Sequence, residues 1–178
     1  MMNESAPTIV RQLFGLPLPS RTLTVVAKAG LCNRLKTLAS GLTVAADTDR
    51  SFAMLWPRTA ACGAGFDELF RNPYHVATVE LEPAALTDLE MTALAGAKLD
   101  RVLHSPCTHV LASDFNWLVH PRNSRLQTAY HRRWATLING LVPVDELSRQ
   151  IETFRARHFA QTMIGVHLRR GDFLRDWP

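Results

Sequence analysis

Leu23-Thr24-Val25-Val26-Ala27-Lys28-Ala29-Gly30-Leu31-Cys32-Asn33-Arg34-Leu35 is the stretch on which the fold turns. Leu23 to Ala27 is a short run containing β-branched residues, the composition of a strand. Lys28 to Asn33 follows as a turn, with Asn33 placed to cap a helix. Leu35, Leu38, Ala39, Leu42, Ala45 and Ala46 then recur at helical spacing and define one apolar face through about Thr48. Phe52 to Trp56 reads as a second strand, stopped by Pro57. A strand, a helix and a strand in that order predict an α/β fold on a parallel sheet, since parallel strands need a crossover between them.

Outward from this unit the same pattern continues. Arg58 to Gly65 is a loop of small residues, and Phe66-Asp67-Glu68-Leu69-Phe70 reads as a short helix ended by Pro73. His75 to Leu81 predicts a third strand, and Pro83 to Leu94 a helix with proline in its first turn. Arg101 to His104 and His109 to Ser113 are short strand candidates. Helices are expected from about Asn123 to Ile138 and again from Pro143, the latter with Leu147, Ile151 and Phe154 on one face. Met1 to Arg21 holds Pro7, Pro17 and Pro19 and no sustained period, so it reads as a loose lead-in. The expected organisation is a lead-in over 1–22, an α/β domain over 23–160 and a further strand and turn over 161–178.

That last segment carries the second informative stretch, Ile164-Gly165-Val166-His167-Leu168-Arg169-Arg170-Gly171-Asp172. Ile164, Val166 and Leu168 alternate with Gly165, His167 and Arg169, the period of a strand with two faces. Gly171 permits a sharp turn after it, and Asp172 can fold its carboxylate back onto the backbone. Two adjacent guanidinium groups thus arrive at the C-terminal end of a strand, where open α/β sheets bind ligands. Their forks match phosphate oxygens in a bidentate way. The residues therefore point to an anion site for phosphate or diphosphate. Gly30, Asn33 and Arg34, at a helix N-terminus with its free N–H groups, make a second candidate anion site. Asn33 and Arg34 are expected to line a cleft facing Arg169 and Arg170; the plainer alternative is a capped helix with Arg34 in solvent.

The His-Leu-Arg-Arg-Gly-Asp run after an apolar strand resembles the His-x-Arg-Arg-x-Asp motif of GDP-fucose-dependent fucosyltransferases. Gly30 to Leu35 and the following Leu-x-x-Leu-Ala-Ser helix are similar to the first turn and helix of that group, with Cys32 where relatives carry a second glycine. Trp56-Pro57, Cys62 and Asp67 to Phe70 resemble its bacterial nodulation-type branch. The resemblance implies a Rossmann-like domain forming the N-terminal half of a GT-B glycosyltransferase, with residues 161–178 opening the donor domain and the rest of that domain beyond this chain. It implies inverting transfer of fucose from GDP-fucose, or a related nucleotide-sugar, to a glycan or peptide hydroxyl, without a metal or other cofactor; with so little of the donor domain, this short chain alone is expected to be inactive. Arg169 and Arg170 would hold the donor phosphates and stabilise the leaving group, with Asn33 and Arg34 as further phosphate contacts. His167, Asp172 and Gly30 would support them.

Composition bounds the alternatives. The 178 residues are 47% hydrophobic and 20% charged, ordinary for a globular chain of about one domain. Lysine occurs only at 28, 36 and 98, so the net charge of +4 is carried by arginine, which suits phosphate recognition. A basic nucleic-acid-binding domain is a rival reading, as is a non-catalytic remnant that keeps the fold without the reaction; no nucleic-acid partner is expected. Cysteines at 32, 62 and 107 are odd in number and lack a CxxC pair, which argues for reduced thiols in a cytoplasmic protein. No apolar run reaches membrane-spanning length and no leader pattern opens the chain, so no membrane anchor is expected. Asp47-Thr48-Asp49 has metal-binding letters but sits at a helix end before a strand, so no metal is expected. Asp67 and Glu68 read as an exposed helix face rather than a catalytic base. Phe115, Trp117 and Trp134 read as packing residues rather than a sugar-stacking wall.

Overall fold

All six residues of the first strand, β1 (Thr22–Ala27), are buried. Successive strand side chains point to opposite faces, so β1 is covered on both, as the central strand of a parallel sheet must be. The computed structural model describes residues 21–27, 29–80, 109–113 and 124–159. The chain divides into two compact units, Met1–Val144 and Asp145–Pro178.

In the first unit β1 is followed by α1 (Leu31–Asp47), β2 (Ser51–Arg58), α2 (Phe66–Leu69), β3 (Val76–Glu80), β4 (His109–Ser113) and α3 (Ser124–Asn139). The four described strands form one sheet in the order β3-β2-β1-β4, and every pairing is parallel. The α/β reading therefore holds, with β-α-β at its centre. The expected helix over Pro83 to Leu94, the strand over Arg101 to His104 and the strand beginning at Ile164 lie outside the described residues.

Helix α1 packs on β1 and β2 and also against α3. Two covered sides explain why its buried face is wider than the leucine stripe predicts. Leu38, Ala39 and Ala45 are buried as expected, but so are Thr37, Ser40, Gly41, Thr43 and Val44, while Ala46 is exposed. The buried Thr43 hydroxyl donates to the Ala39 carbonyl at 2.8 Å, which satisfies it one turn back along its own helix. Between α1 and the sheet lies a core of Ala27, Leu38, Met54, Trp56 and Phe66, rimmed by Leu35, Leu42, Phe52 and Tyr74.

Pro57 does not stop β2. The strand continues to Arg58 because β1 pairs with β2 only as far as Leu55, whereas β3 pairs on to Arg58. Proline lacks a donor, and at this register β1 no longer offers it an acceptor. Beyond α3, Asn72 donates to the Gly140 carbonyl at 2.9 Å and accepts from the Val142 N–H at 2.7 Å, tying the chain before Val144 back to α2.

The second unit contributes α4 (Asp145–His158), which has Asp145 and Glu146 in its first turn and Arg155, Arg157 and His158 in its last. That charge order complements the helix dipole at both ends. The predicted apolar stripe is present, with Ile151 and Phe154 exposed. Among the described residues no helix is long and apolar enough to cross a membrane.

The close seat of α1 depends on Gly41, where an added Cβ would lie 2.5 Å from a Phe52 ring carbon and 3.2 Å from a Val25 methyl. Alanine in a helix gains about 1 kcal/mol over glycine, but overpacking costs about 1 to 3 kcal/mol. Gly41→Ala is therefore expected to lower stability in urea denaturation by about 1 kcal/mol. A gain would mean that α1 stands further from the sheet.

Candidate functional site

The candidate site lies at the C-terminal edge of the sheet, where β1 turns into α1. Ala29 has φ 62, the left-handed conformation, which costs a residue with a Cβ about 1 to 2 kcal/mol. Gly30 follows in an extended conformation and is the N-cap. Its carbonyl accepts from the N–H groups of Asn33 and Arg34, each at 3.1 Å. Asn33 is thus the third residue of α1, not its cap, which corrects the expectation from sequence. Asparagine favours the cap position, but here the turn is closed by backbone groups of Ala29 and Gly30, and the cap makes no side-chain bond. Nor is glycine required at 30 by its backbone angle or by space, since a Cβ there would meet the Ala61 carbonyl oxygen at an ordinary 3.6 Å.

The opening of α1 retains its partial positive charge. It has no acidic residue in its first turn, and the N–H groups of Leu31 and Cys32 bond no acceptor among the described residues. Cys32 is exposed. Asn33 is half-buried and its carboxamide bonds none of the described residues, so it remains able to reach a ligand.

Arg34 behaves differently from both sequence readings, which had it lining a cleft or standing in solvent. It is 0% exposed. Nε donates to the Ala29 carbonyl at 2.7 Å, Nη1 donates to the Pro57 carbonyl, and Nη2 donates to the Thr59 hydroxyl at 2.8 Å. The guanidinium carbon also lies 5.3 Å from the centre of the Trp56 ring, within cation–π range. All three acceptors are neutral. Burial lowers the Arg34 pKa from its usual value, an effect partly opposed by Cys62. Arginine remains charged through such a shift, so a fixed positive charge sits beneath the turn.

The loop after β2 is held in the same region. Thr59 and Cys62 exchange backbone hydrogen bonds of 3.1 and 3.0 Å, and the Trp56 indole donates to the Ala64 carbonyl at 2.9 Å. Arg58, which the sequence reading passed over, organises its outer side. It donates to both Glu68 oxygens, at 2.6 and 3.0 Å, and to the Gly63 carbonyl at 2.6 Å, and pairs with Glu80 at 3.0 Å. Asp67 accepts from the Thr78 hydroxyl at 3.1 Å. Asp67 and Glu68 are both exposed, as expected. The only advance signal for Arg58 was its place between a strand and two carboxylates.

Asp47 is paired with Arg133 of α3, and among the described residues no cluster of three metal-ligating side chains occurs. Trp134 is half-buried, with an indole nitrogen that has no partner among the described residues. His167, Arg169, Arg170 and Asp172, with Phe115 and Trp117, lie outside the described residues. Gly30, Asn33 and Arg34 are brought together at one turn, with Arg34 facing inward. No protein-family model matches the chain, and neither a curated protein nor a solved structure matches it.

Glu68 supplies a pH test of this edge. The Arg58 hydrogen bonds, then the 2.8 Å bond from the Gly65 N–H, lower its pKa from 4.5 to about 2. A carboxyl depressed in the folded state stabilises above its unfolded pKa and loses that contribution as pH falls through the folded value. The Gly65–Leu69 segment is therefore expected to loosen between about pH 4.5 and pH 2. Carboxyl-carbon NMR should give Glu68 a midpoint near 2 in the parent and a clearly higher one in Arg58→Ala. Equal midpoints would break the assignment.

Proposed function

We propose that the chain binds the phosphates of a nucleotide-sugar and forms the Rossmann-like, acceptor-side half of a GT-B glycosyltransferase, of the kind that transfers fucose from GDP-fucose. The observation that carries this is the strand order β3-β2-β1-β4. With β2 on one side of β1 and β4 on the other, the order reverses at β1, and ligands of open parallel sheets bind beyond the strand ends at such a reversal. The N-terminus of α1, which has no side-chain cap, and Asn33, whose carboxamide bonds none of the described residues, stand at that place, and both suit an anion.

The His167 to Asp172 motif adds the donor-side groups to this reading. By the resemblance, Arg169 and Arg170 contact the diphosphate, with His167 and Asp172 in support. In the proposed reaction a hydroxyl oxygen of a glycan or peptide attacks the anomeric carbon of fucose. The bond from that carbon to the β-phosphate oxygen breaks with inversion, its electron pair leaves on GDP, and the hydroxyl proton passes to a base. Arginine side chains stabilise the growing charge on the leaving phosphate. Glu68 is poorly matched to the base role, because a carboxyl with a pKa of about 2 takes a proton weakly near neutral pH.

Calorimetric titration of GDP, ADP and GDP-fucose into the chain tests the reading. GDP, GDP-fucose and ADP are all expected to bind weakly through their phosphates, without preference for guanine, and with affinity falling as salt rises. Arg169→Ala or Arg170→Ala should weaken binding by about tenfold or more, the range for a charge-assisted phosphate contact. Absence of binding even at low salt, or equal affinity in both variants, would overturn it.

A further inference from the structure

The Arg34 side chain is charged and wholly inside the protein, and its hydrogen bonds spread to three separate pieces of chain. One reaches the carbonyl of Ala29 in the turn after β1. The second reaches the carbonyl of Pro57 at the end of β2, and the third the hydroxyl of Thr59 in the loop that follows. Thr59 is in turn joined to Cys62 by two backbone bonds, so the loop is fixed at both ends of that contact. Ala29 has the opposite need. It holds φ 62 without being glycine, asparagine or aspartate, so its backbone requires an outside constraint. The bond from Arg34 Nε to its carbonyl is such a constraint.

We propose that Arg34 is a positioning residue, a latch that holds Ala29 in its left-handed turn and couples that turn to the Pro57–Thr59 end of β2. This rests on the reading of the α1 N-terminus as a phosphate site. The conformation of Ala29 sets where Gly30, Leu31 and Cys32 point their N–H groups, so the latch acts on the anion through the backbone and never touches it. Only a planar fork serves all three directions. A lysine ammonium in the same place carries the charge but cannot address three diverging acceptors from one nitrogen. The role therefore depends on the shape of the guanidinium as well as its charge.

The test uses the full chain, isotopically labelled, as the parent, Arg34→Lys, and Arg34→Lys combined with Ala29→Gly. Backbone chemical shifts report the conformation of Ala29, and GDP is the titrated probe. In Arg34→Lys the Ala29 shifts are expected to leave left-handed values while the β1 and β2 amides keep theirs, and GDP affinity should fall about tenfold. Glycine at 29 adopts the turn without strain, so the double variant should recover most of the lost affinity, which a general loss of packing would not allow. Should Arg34→Lys fail to fold, Thr59→Val removes a single acceptor and should give a smaller loss in the same direction. A left-handed Ala29 in Arg34→Lys, beside normal GDP binding by the parent, would overturn the latch alone. So would a displaced Ala29 with undiminished GDP affinity. No GDP binding by the parent would overturn the phosphate-site reading and this role together.

Discussion

A guanidinium group enclosed among neutral acceptors is the constraint from which the functional edge of this protein is built. A buried charge is tolerated only when its polar atoms find hydrogen-bond partners. Arg34 meets that demand with two carbonyls and a hydroxyl from residues 29, 57 and 59. The demand runs both ways. The Pro57 carbonyl lies past the end of the β1 ladder, and Arg34 supplies the donor that the sheet no longer offers there. Trp56 completes the arrangement, with its ring face toward the cation and the Phe66 ring centre 5.5 Å away in an edge-type contact. The sheet edge and the hydrophobic core are thus joined through one side chain.

Parallel pairing directs this arrangement toward a single end of the molecule. Because β1, β2 and β3 run the same way, the turn at Ala29, the loop at Thr59 and the Arg58 pair with Glu80 all fall at their C-terminal ends. Positive charge gathers on the inner side of that edge, at Arg34 and the opening of α1. Further out, Arg58 is balanced by Glu68 and Glu80. An incoming anion would therefore meet its favourable field at the β1 turn rather than beside α2.

The β-α-β unit was legible because short apolar runs, bounded by turn residues, flank a segment of helical period, and local chemistry alone marks those changes. The strands at Val76–Glu80 and His109–Ser113 were readable for the same reason. Neighbours distant in sequence decided the rest. Whether Pro57 ends a strand depends on where β1 stops pairing, and the sequence of β2 does not contain that information. The second covered side of α1 depends on α3, nearly a hundred residues further on. Arg34 was placed facing a ligand by the resemblance of its turn, and its actual acceptors, two backbone carbonyls and a threonine hydroxyl, carry no signature in the sequence. Ala29 offered no warning either, since alanine is a poor candidate for a positive φ. The turn between β1 and α1 was readable as a place, but the inward direction of its arginine was not.

The direct measure of the central claim is the stability of Arg34→Met against the parent in urea denaturation. Methionine roughly preserves the apolar volume but leaves the Ala29 and Pro57 carbonyls and the Thr59 hydroxyl without a donor. Stranded buried acceptors cost about 1 to 3 kcal/mol each at most, so a loss of about 3 kcal/mol is predicted. Stability equal to the parent within about 0.5 kcal/mol, the range of an ordinary surface substitution, would contradict the account.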